Sequence, residues 1–222
     1  MWKSIVYKEW LKIRWFLIGY TVLGLLGIGY LFLTVKHGFT FSGGKNFWYG
    51  ILFLGQQYFS YLKYVPILGG LAIAIAQYFP ETINKRIKLV FHLPVKENSV
   101  LLMMHGFGFG SLLLSYCLIF LVFLGFSAHY FPYEIVMAAS ITMLPWFLAG
   151  FTAYFIVALV VMEPMWLYRV LYALSGGFFI TFYVKSALAG AYAPANPGLL
   201  VLTVLLSIAL IFSAYRFRKG EM

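Results

Sequence analysis

Long apolar runs separated by short polar breaks are the dominant pattern along this chain. A helix needs roughly 18–20 consecutive apolar residues to cross a bilayer, whereas a transmembrane barrel shows alternating segments of about ten residues. Six runs meet the helical requirement, at about 14–35, 55–78, 99–127, 135–161, 167–186 and 197–215. The pattern therefore predicts an all-α integral membrane protein, with six transmembrane helices in a single transmembrane domain over residues 1–222.

The second apolar region is longer than one straight crossing requires. Its apolar character starts near Phe47, well before the predicted span at 55–78. We expect its first part to lie at the outer membrane interface, or the helix to kink at Pro66.

The polar segment 79–98 is the longest break that contains both signs of charge. Proline is tolerated in a first helical turn, which suits Pro80, and Pro94 would end a helix. Between them, apolar residues recur at helical spacing and basic residues lie mostly elsewhere: Ile83, Ile87, Val90 and Phe91 against Lys85, Arg86 and Lys88. The segment is therefore predicted to form a short helix with one docking face, and its spacing fits either lipid or protein.

Residues 1–14 have the pattern of an amphipathic helix at a membrane surface. The apolar positions recur in steps of three and four, and the basic positions lie largely off that stripe: Trp2, Ile5, Val6, Trp10 and Ile13 against Lys3, Lys8, Lys12 and Arg14. The alternative is that these residues are only the charged flank of the first span.

The charges predict the orientation. Only 10% of the residues are charged against 63% hydrophobic, and the net charge is +10. With the N-terminus inside, three Lys fall outside, Lys63 falls within a span and twelve basic residues fall on the cytoplasmic side: Lys3, Lys8, Lys12, Arg14, Lys85, Arg86, Lys88, Lys96, Arg169, Arg216, Arg218 and Lys219. This positive-inside bias predicts cytoplasmic N- and C-termini. It also explains the net charge through topology and anionic lipid contact, so no nucleic-acid partner is expected.

The first apolar run is long and follows a charged helix, without a small-residue cleavage site. We therefore expect it to anchor the chain and not to be removed as a signal peptide.

Several of these features together resemble the membrane subunit of type-2 ABC transporters. They are Lys8-Glu9-Trp10 in the N-terminal helix, two spans, Glu81 followed by basic residues, and Leu93-Pro94-Val95. The resemblance implies a connecting helix at 1–14 and a cytoplasmic coupling helix that docks into the ATPase. The ATPase-coupling residues it implies are Glu81, Ile83, Lys85, Arg86, Ile87, Lys88, Val90 and Phe91.

The same resemblance implies a multi-pass permease of the exporter type in the bacterial inner membrane. Its partners would be an ABC ATPase subunit, a second permease subunit in a homodimer or heterodimer, and the lipid bilayer. The chain departs from many members of that family because its predicted outer loops, at about 36–46, 128–134 and 187–196, are short.

ATP hydrolysis is expected from the partner and not from this chain. The sequence has no Gly-x-x-x-x-Gly-Lys-Ser/Thr phosphate loop and no Asp, whereas a nucleotide hydrolase needs a phosphate cradle and an acidic magnesium ligand. The partner would bind ATP and Mg, and no cofactor, metal site or catalytic residue is assigned to this chain. The histidines are scattered, and we interpret His105 as a hydrogen-bonded packing residue.

Polar residues cluster in the outer half of the second predicted span: Gln56, Gln57, Tyr58, Ser60, Tyr61, Lys63 and Tyr64. A charge at the centre of a bilayer costs about 2.5–3.5 kcal/mol on insertion scales, which favours a position facing protein or water. Gln56, Gln57, Tyr61 and Lys63 are therefore candidates for a substrate pathway or a dimer interface. The alternative is that Lys63 extends to the outer headgroups and the tyrosines form an interfacial belt.

Two other functions fit parts of the pattern. The chain could be a non-transporting scaffold or assembly factor that docks a cytoplasmic partner through 79–98. It could also be a haem-exporter-like permease of cytochrome maturation, which has a similar length and number of spans.

Overall fold

The computed structural model describes residues 2–82, 97–185 and 189–219, with the side chains of the last helix described as far as Leu210. Within these ranges the secondary structure is helical, without strands. The elements are α1 Trp2–Ser42, α2 Gly44–Leu52, a 3₁₀ helix Ser60–Tyr64, α3 Val65–Thr82, α4 Glu97–Tyr130, α5 Tyr133–Met162, α6 Trp166–Val184 and α7 Asn196–Lys219.

Five helical segments in the described part of the chain are long and apolar enough to cross a membrane. They are Lys3–Phe41, Ser60–Thr82, Ser99–Tyr130, Tyr133–Met162 and Trp166–Val184. The all-α class is therefore confirmed for the described residues, the five segments have the length and composition of a multi-pass membrane protein, and they match the first five predicted spans. The sixth, at 197–215, falls on α7, whose described apolar part is the shorter segment Asn196–Leu210.

Helix α1 contains both the amphipathic N-terminal segment and the first predicted span. Its 41 residues form one helix, and at 1.5 Å per residue it is about 60 Å long. A bilayer core is about 30 Å thick, so α1 extends well beyond it. Residues 2–14 are thus the first turns of a long helix and do not form a separate one.

A non-helical segment divides the second apolar region into α2 and a later helical part that includes α3. After α2 the chain leaves the helical conformation at residues 53–59, and Pro66 then lies in the first turn of α3, where its missing N–H has no helical partner to lose. Pro66 therefore marks a helix start and not a kink. Gln56, Gln57 and Tyr58, predicted within the span, precede it.

An aromatic cluster holds this irregular segment against the bundle. The ring of Tyr58 stacks on that of Phe131 with centroids 4.3 Å apart, and its hydroxyl lies 3.2 Å from Ser127 Oγ. Phe47 also stacks on Phe131. Residues 47–59 thus cover one end of the bundle.

The start of the predicted segment 79–98 is also corrected. Helix α3 continues through Phe79 and Pro80 to Thr82, so Pro80 lies in its last turn and does not begin a new helix. Residues 83–96, which contain the whole predicted docking face, lie outside the described residues.

Helix α5 is at the centre of the bundle. It packs against α3, α6 and α7, while α1 packs against α4 and α3. Helices α3 and α5 approach each other closely at two glycines, because a methyl group added at Gly70 would lie 2.0 Å from the carbonyl oxygen of Gly150. We call the end of the bundle where α1 starts, α3 ends and α4 starts the loop end, since residues 83–96 connect α3 to α4 there.

Candidate functional site

Glu81, the predicted coupling residue that the structure describes, is a buried anion in the last turn of α3. Its side chain is 3% exposed, and its Oε1 lies 2.6 Å from Lys8 Nζ and 2.5 Å from Lys12 Nζ. Both lysines belong to the first turns of α1. The pairing therefore fixes the start of α1 to the residue that stands just before the loop 83–96.

A second buried carboxylate extends this group. Lys12 Nζ also lies 2.5 Å from Glu9 Oε1, and the side chains of Lys12 and Glu9 are 12% and 2% exposed. Two lysines thus face two glutamates, so the cluster has no net charge. Removing water from charges is costly unless they are paired and hydrogen-bonded, and this balance allows Glu9, Lys12 and Glu81 to be buried while Lys8 stays partly exposed.

Gln77, one turn before Glu81 on α3, connects the ion pairs to the rest of the bundle. The residue is fully buried. Its Nε2 donates to Glu9 Oε2 at 3.1 Å and to the Met104 carbonyl of α4 at 2.6 Å. Its Oε1 accepts a 2.7 Å hydrogen bond from the hydroxyl of Tyr154 on α5. One amide therefore joins four helices.

From Tyr154 the hydrogen bonds continue to α7. Its hydroxyl lies 3.1 Å from that of Tyr78, which lies 3.3 Å from His105 Nδ1. His105 Nε2 then lies 3.0 Å from Ser207 Oγ. The interpretation of His105 as a hydrogen-bonded packing residue agrees with these contacts.

We refer to these nine residues as the loop-end network: Lys8, Glu9, Lys12, Gln77, Tyr78, Glu81, His105, Tyr154 and Ser207.

A glycine on α4 provides the space for this network. A methyl group added at Gly108 would lie 2.1 Å from both Gln77 Oε1 and the Tyr154 hydroxyl. Gly106 and Gly110 on the same helix have no neighbour within 4 Å of such a methyl group. The sequence Gly-Phe-Gly-Phe-Gly thus contains one glycine with a packing requirement inside the bundle and two that face outward.

The network can hold helices in a fixed relation and can transmit displacement between them. In the described part of the chain no group of three or more His, Cys, Asp or Glu residues is placed to hold a metal ion. The charged members are used in ion pairs with each other, and the neutral members in hydrogen bonds. The geometry is that of a structural and mechanical junction.

The other predicted coupling residues, Ile83, Lys85, Arg86, Ile87, Lys88, Val90 and Phe91, lie outside the described residues, and their role stays a prediction.

The second set of candidates lies at the opposite end of the bundle and is spread over its surface. Gln56 is exposed and precedes the 3₁₀ helix, and Gln57 is half-buried. The exposed ring of Tyr61 contacts Tyr30 edge-on, while Lys63 Nζ lies 5.6 Å from the ring centroid of Tyr64. Their role in a pathway or dimer interface stays a prediction.

The turn between α5 and α6 contains a buried acidic residue. Glu163 is fully buried, and its backbone carbonyl accepts a 2.6 Å hydrogen bond from Arg169 Nε. The Arg169 guanidinium lies 5.9 Å from the ring centroid of Trp166. Glu163 therefore belongs to the interior of the loop end.

Sequence reasoning missed most of the loop-end network. Glu9 and Lys12 stand three residues apart on one helix, which is a recognisable ion-pair spacing. Gln77, which donates to Glu9, and Tyr154, which donates to Gln77, have no local signal. No family model, no curated protein and no solved structure matches this chain.

Proposed function

We propose that this chain is the membrane-spanning permease subunit of an ABC exporter in the bacterial inner membrane. A separate ATPase subunit would bind and hydrolyse ATP, and a second permease subunit would complete the transmembrane unit. The proposal rests on the resemblance of the N-terminal helix and of the segment after Glu81 to that family. It is supported by the multi-pass helical architecture.

The ion pairs of Glu81 with Lys8 and Lys12 are the structural observation that best supports the proposal. A partner that moves the loop 83–96 would pull on the end of α3 at Thr82. Because Glu81 is fixed to α1, and Gln77 to α4 and α5, the displacement would reach several helices together. Such rigid-body transmission is a common form of conformational switching, and opening a route between two permease subunits requires it.

The remaining topology belongs to this proposal. Helix α7 has 24 residues, which at 1.5 Å per residue is about 36 Å and enough to cross a bilayer core. With α7 as the sixth span, both termini and the loop 83–96 lie in the cytoplasm, as the distribution of basic residues favours.

Cysteine labelling tests this orientation. Cys117 is the single cysteine, so Cys117→Ser gives a background in which one new thiol is read at a time. We expect a membrane-impermeant maleimide to label Ala193→Cys on intact cells, and Lys88→Cys only after permeabilisation. Labelling of Lys88→Cys on intact cells would reverse the topology and exclude a cytoplasmic docking loop.

The ATPase partner is tested by co-purification. The chain is expressed with its candidate ATPase, and Lys85, Arg86 and Lys88 are changed to Glu, or Ile87 to Asp. We expect either change to remove most of the ATPase from the co-purified sample. The first reverses the charge of the basic face of the predicted docking helix, and the second places a charge on its apolar face. The matched control changes Lys36 and Lys45, on the predicted outer side, to Glu and should leave binding intact.

Full binding and ATPase coupling in every loop variant would count decisively against the proposal. Loss of a partner that is not an ATPase would instead indicate the scaffold or assembly factor. Haem-dependent stimulation of the bound ATPase would indicate a haem-exporter-like permease.

A further inference from the structure

A cavity of 350 Å³ lies at the end of the bundle opposite the loop-end network. It is enclosed by α2, the irregular residues 53–59 and the first turns of α5. Its walls are largely apolar, with two polar side chains among them, and include Ile51, Phe53, Phe59, Ile135, Gln56 and Glu134. Its volume falls at the lower end of the roughly 300–1,000 Å³ of small-molecule sites.

The charge of this cavity comes from Glu134. Its carboxylate is exposed, and among the described residues it forms no ion pair with a lysine or arginine. In the sequence, Glu134 is the single acidic residue between Glu97 and Glu163. The acid therefore places one isolated negative charge at the edge of an apolar cavity.

The position of Glu134 also has a structural explanation, since an acid in the first turn of a helix interacts favourably with the helix N-terminus. That interaction accounts for an acid at the start of α5. It does not account for the enclosed apolar walls around it, or for the carboxamide of Gln56 beside the same space. A ligand with both a positive charge and an apolar body fits all three features.

We propose that this cavity binds a cationic amphipathic molecule, with its ammonium group beside Glu134 and its apolar body against Ile51, Phe53 and Phe59. A cation near an aromatic face gains further attraction from the ring quadrupole. The inference deepens the proposed function and rests on it in one respect: for an exporter, the cavity is a site on the outer side, and cationic amphiphiles are the substrate class.

Binding is tested on the purified chain without any ATPase, in dodecyl maltoside micelles, which contain no headgroup amine. The probe is benzyltrimethylammonium, titrated by calorimetry, and phenylmethanesulfonate serves as a similar ligand of opposite charge. We expect saturable binding of the cation and none of the sulfonate. Glu134→Gln should weaken binding by about tenfold or more, because it removes the charge at nearly constant shape.

Two further variants distinguish the contribution of the cavity to binding from that of surface charge. Ala138→Leu adds bulk to the lining and should abolish binding, while Lys36→Gln changes an exposed charge outside the lining and should leave it unchanged. Thermal unfolding of each variant checks that the fold is kept.

The proposal is overturned if the wild-type chain shows no saturable binding, or if Glu134→Gln and Ala138→Leu bind as the wild type does. A Glu134→Gln variant that is less stable but binds equally well would leave the acid with only its role at the helix start. Because no ATPase is present, a failure here leaves the ATPase test untouched. Conversely, binding by a chain that recruits no ATPase would keep the site and remove its role in export.

Discussion

Replacing Glu81 by alanine should destabilise the folded chain by about 3–5 kcal/mol, the usual cost of breaking a buried ion pair by removing one partner. The carboxylate is 3% exposed and is paired with both Lys8 and Lys12. Without it, the cluster has a net positive charge, and the buried Lys12 is left with one carboxylate instead of two. The midpoint of thermal unfolding in micelles measures this loss.

Lys8→Ala is the matched control for this prediction. It removes a partner of the same carboxylate, but the Lys8 side chain is 45% exposed, and exposed ion pairs contribute only about 0–1 kcal/mol. Lys12→Ala, in contrast, should resemble Glu81→Ala, because Lys12 is 12% exposed and contacts both glutamates. Equal stability of Glu81→Ala and the wild type would contradict a stabilising role for the ion pairs of Glu81 in the loop-end network.

Replacing Gly108 by alanine should disrupt the same junction from the α4 side. The added methyl group would overlap with Gln77 Oε1 and the Tyr154 hydroxyl, so both buried groups must move from their hydrogen bonds. Overpacking typically costs about 1–3 kcal/mol, and each unsatisfied buried polar group about 1–3 kcal/mol more. The unfolding midpoint should fall clearly, and coupling to a bound ATPase with it.

The same helix offers two controls, because Gly106→Ala and Gly110→Ala place their methyl groups in open space. Alanine is the better helix former by about 1 kcal/mol, so these variants should be as stable as the wild type or slightly more so. If all three variants behaved alike, the effect would come from helix propensity and the close contact at Gly108 would be disproved.

The helices themselves follow from the sequence because the bilayer imposes the requirement locally. A backbone in lipid must satisfy its own hydrogen bonds, so any apolar run of sufficient length forms a helix whatever its neighbours are. This is why the predicted spans 99–127, 135–161 and 167–186 lie on α4, α5 and α6 with small differences at their ends. Span boundaries were less predictable where aromatic residues can serve either as membrane anchors or as packing groups, as at Tyr58.

The loop-end network could not be predicted from one sequence, because its members are far apart along the chain. Glu9 and Gln77 are separated by 68 residues, and Gln77 and Tyr154 by 77. Helical periodicity indicates which face of a helix is apolar, but not which face of another helix it meets. Glu81 was identified through the family resemblance, and its burial and its partners became visible only in the packed bundle.

The sequence by itself determined that this chain is a helical membrane protein. The bilayer requires apolar runs of a certain length and few charges within them, and both are local properties of the sequence. Only the tertiary structure decided which polar groups are buried together: Glu81 with Lys8 and Lys12 at one end, and an isolated Glu134 beside an apolar cavity at the other. The physical reason is that a charged side chain can be buried only where it has partners of opposite charge or hydrogen-bonding groups. Those partners depend on how the helices pack.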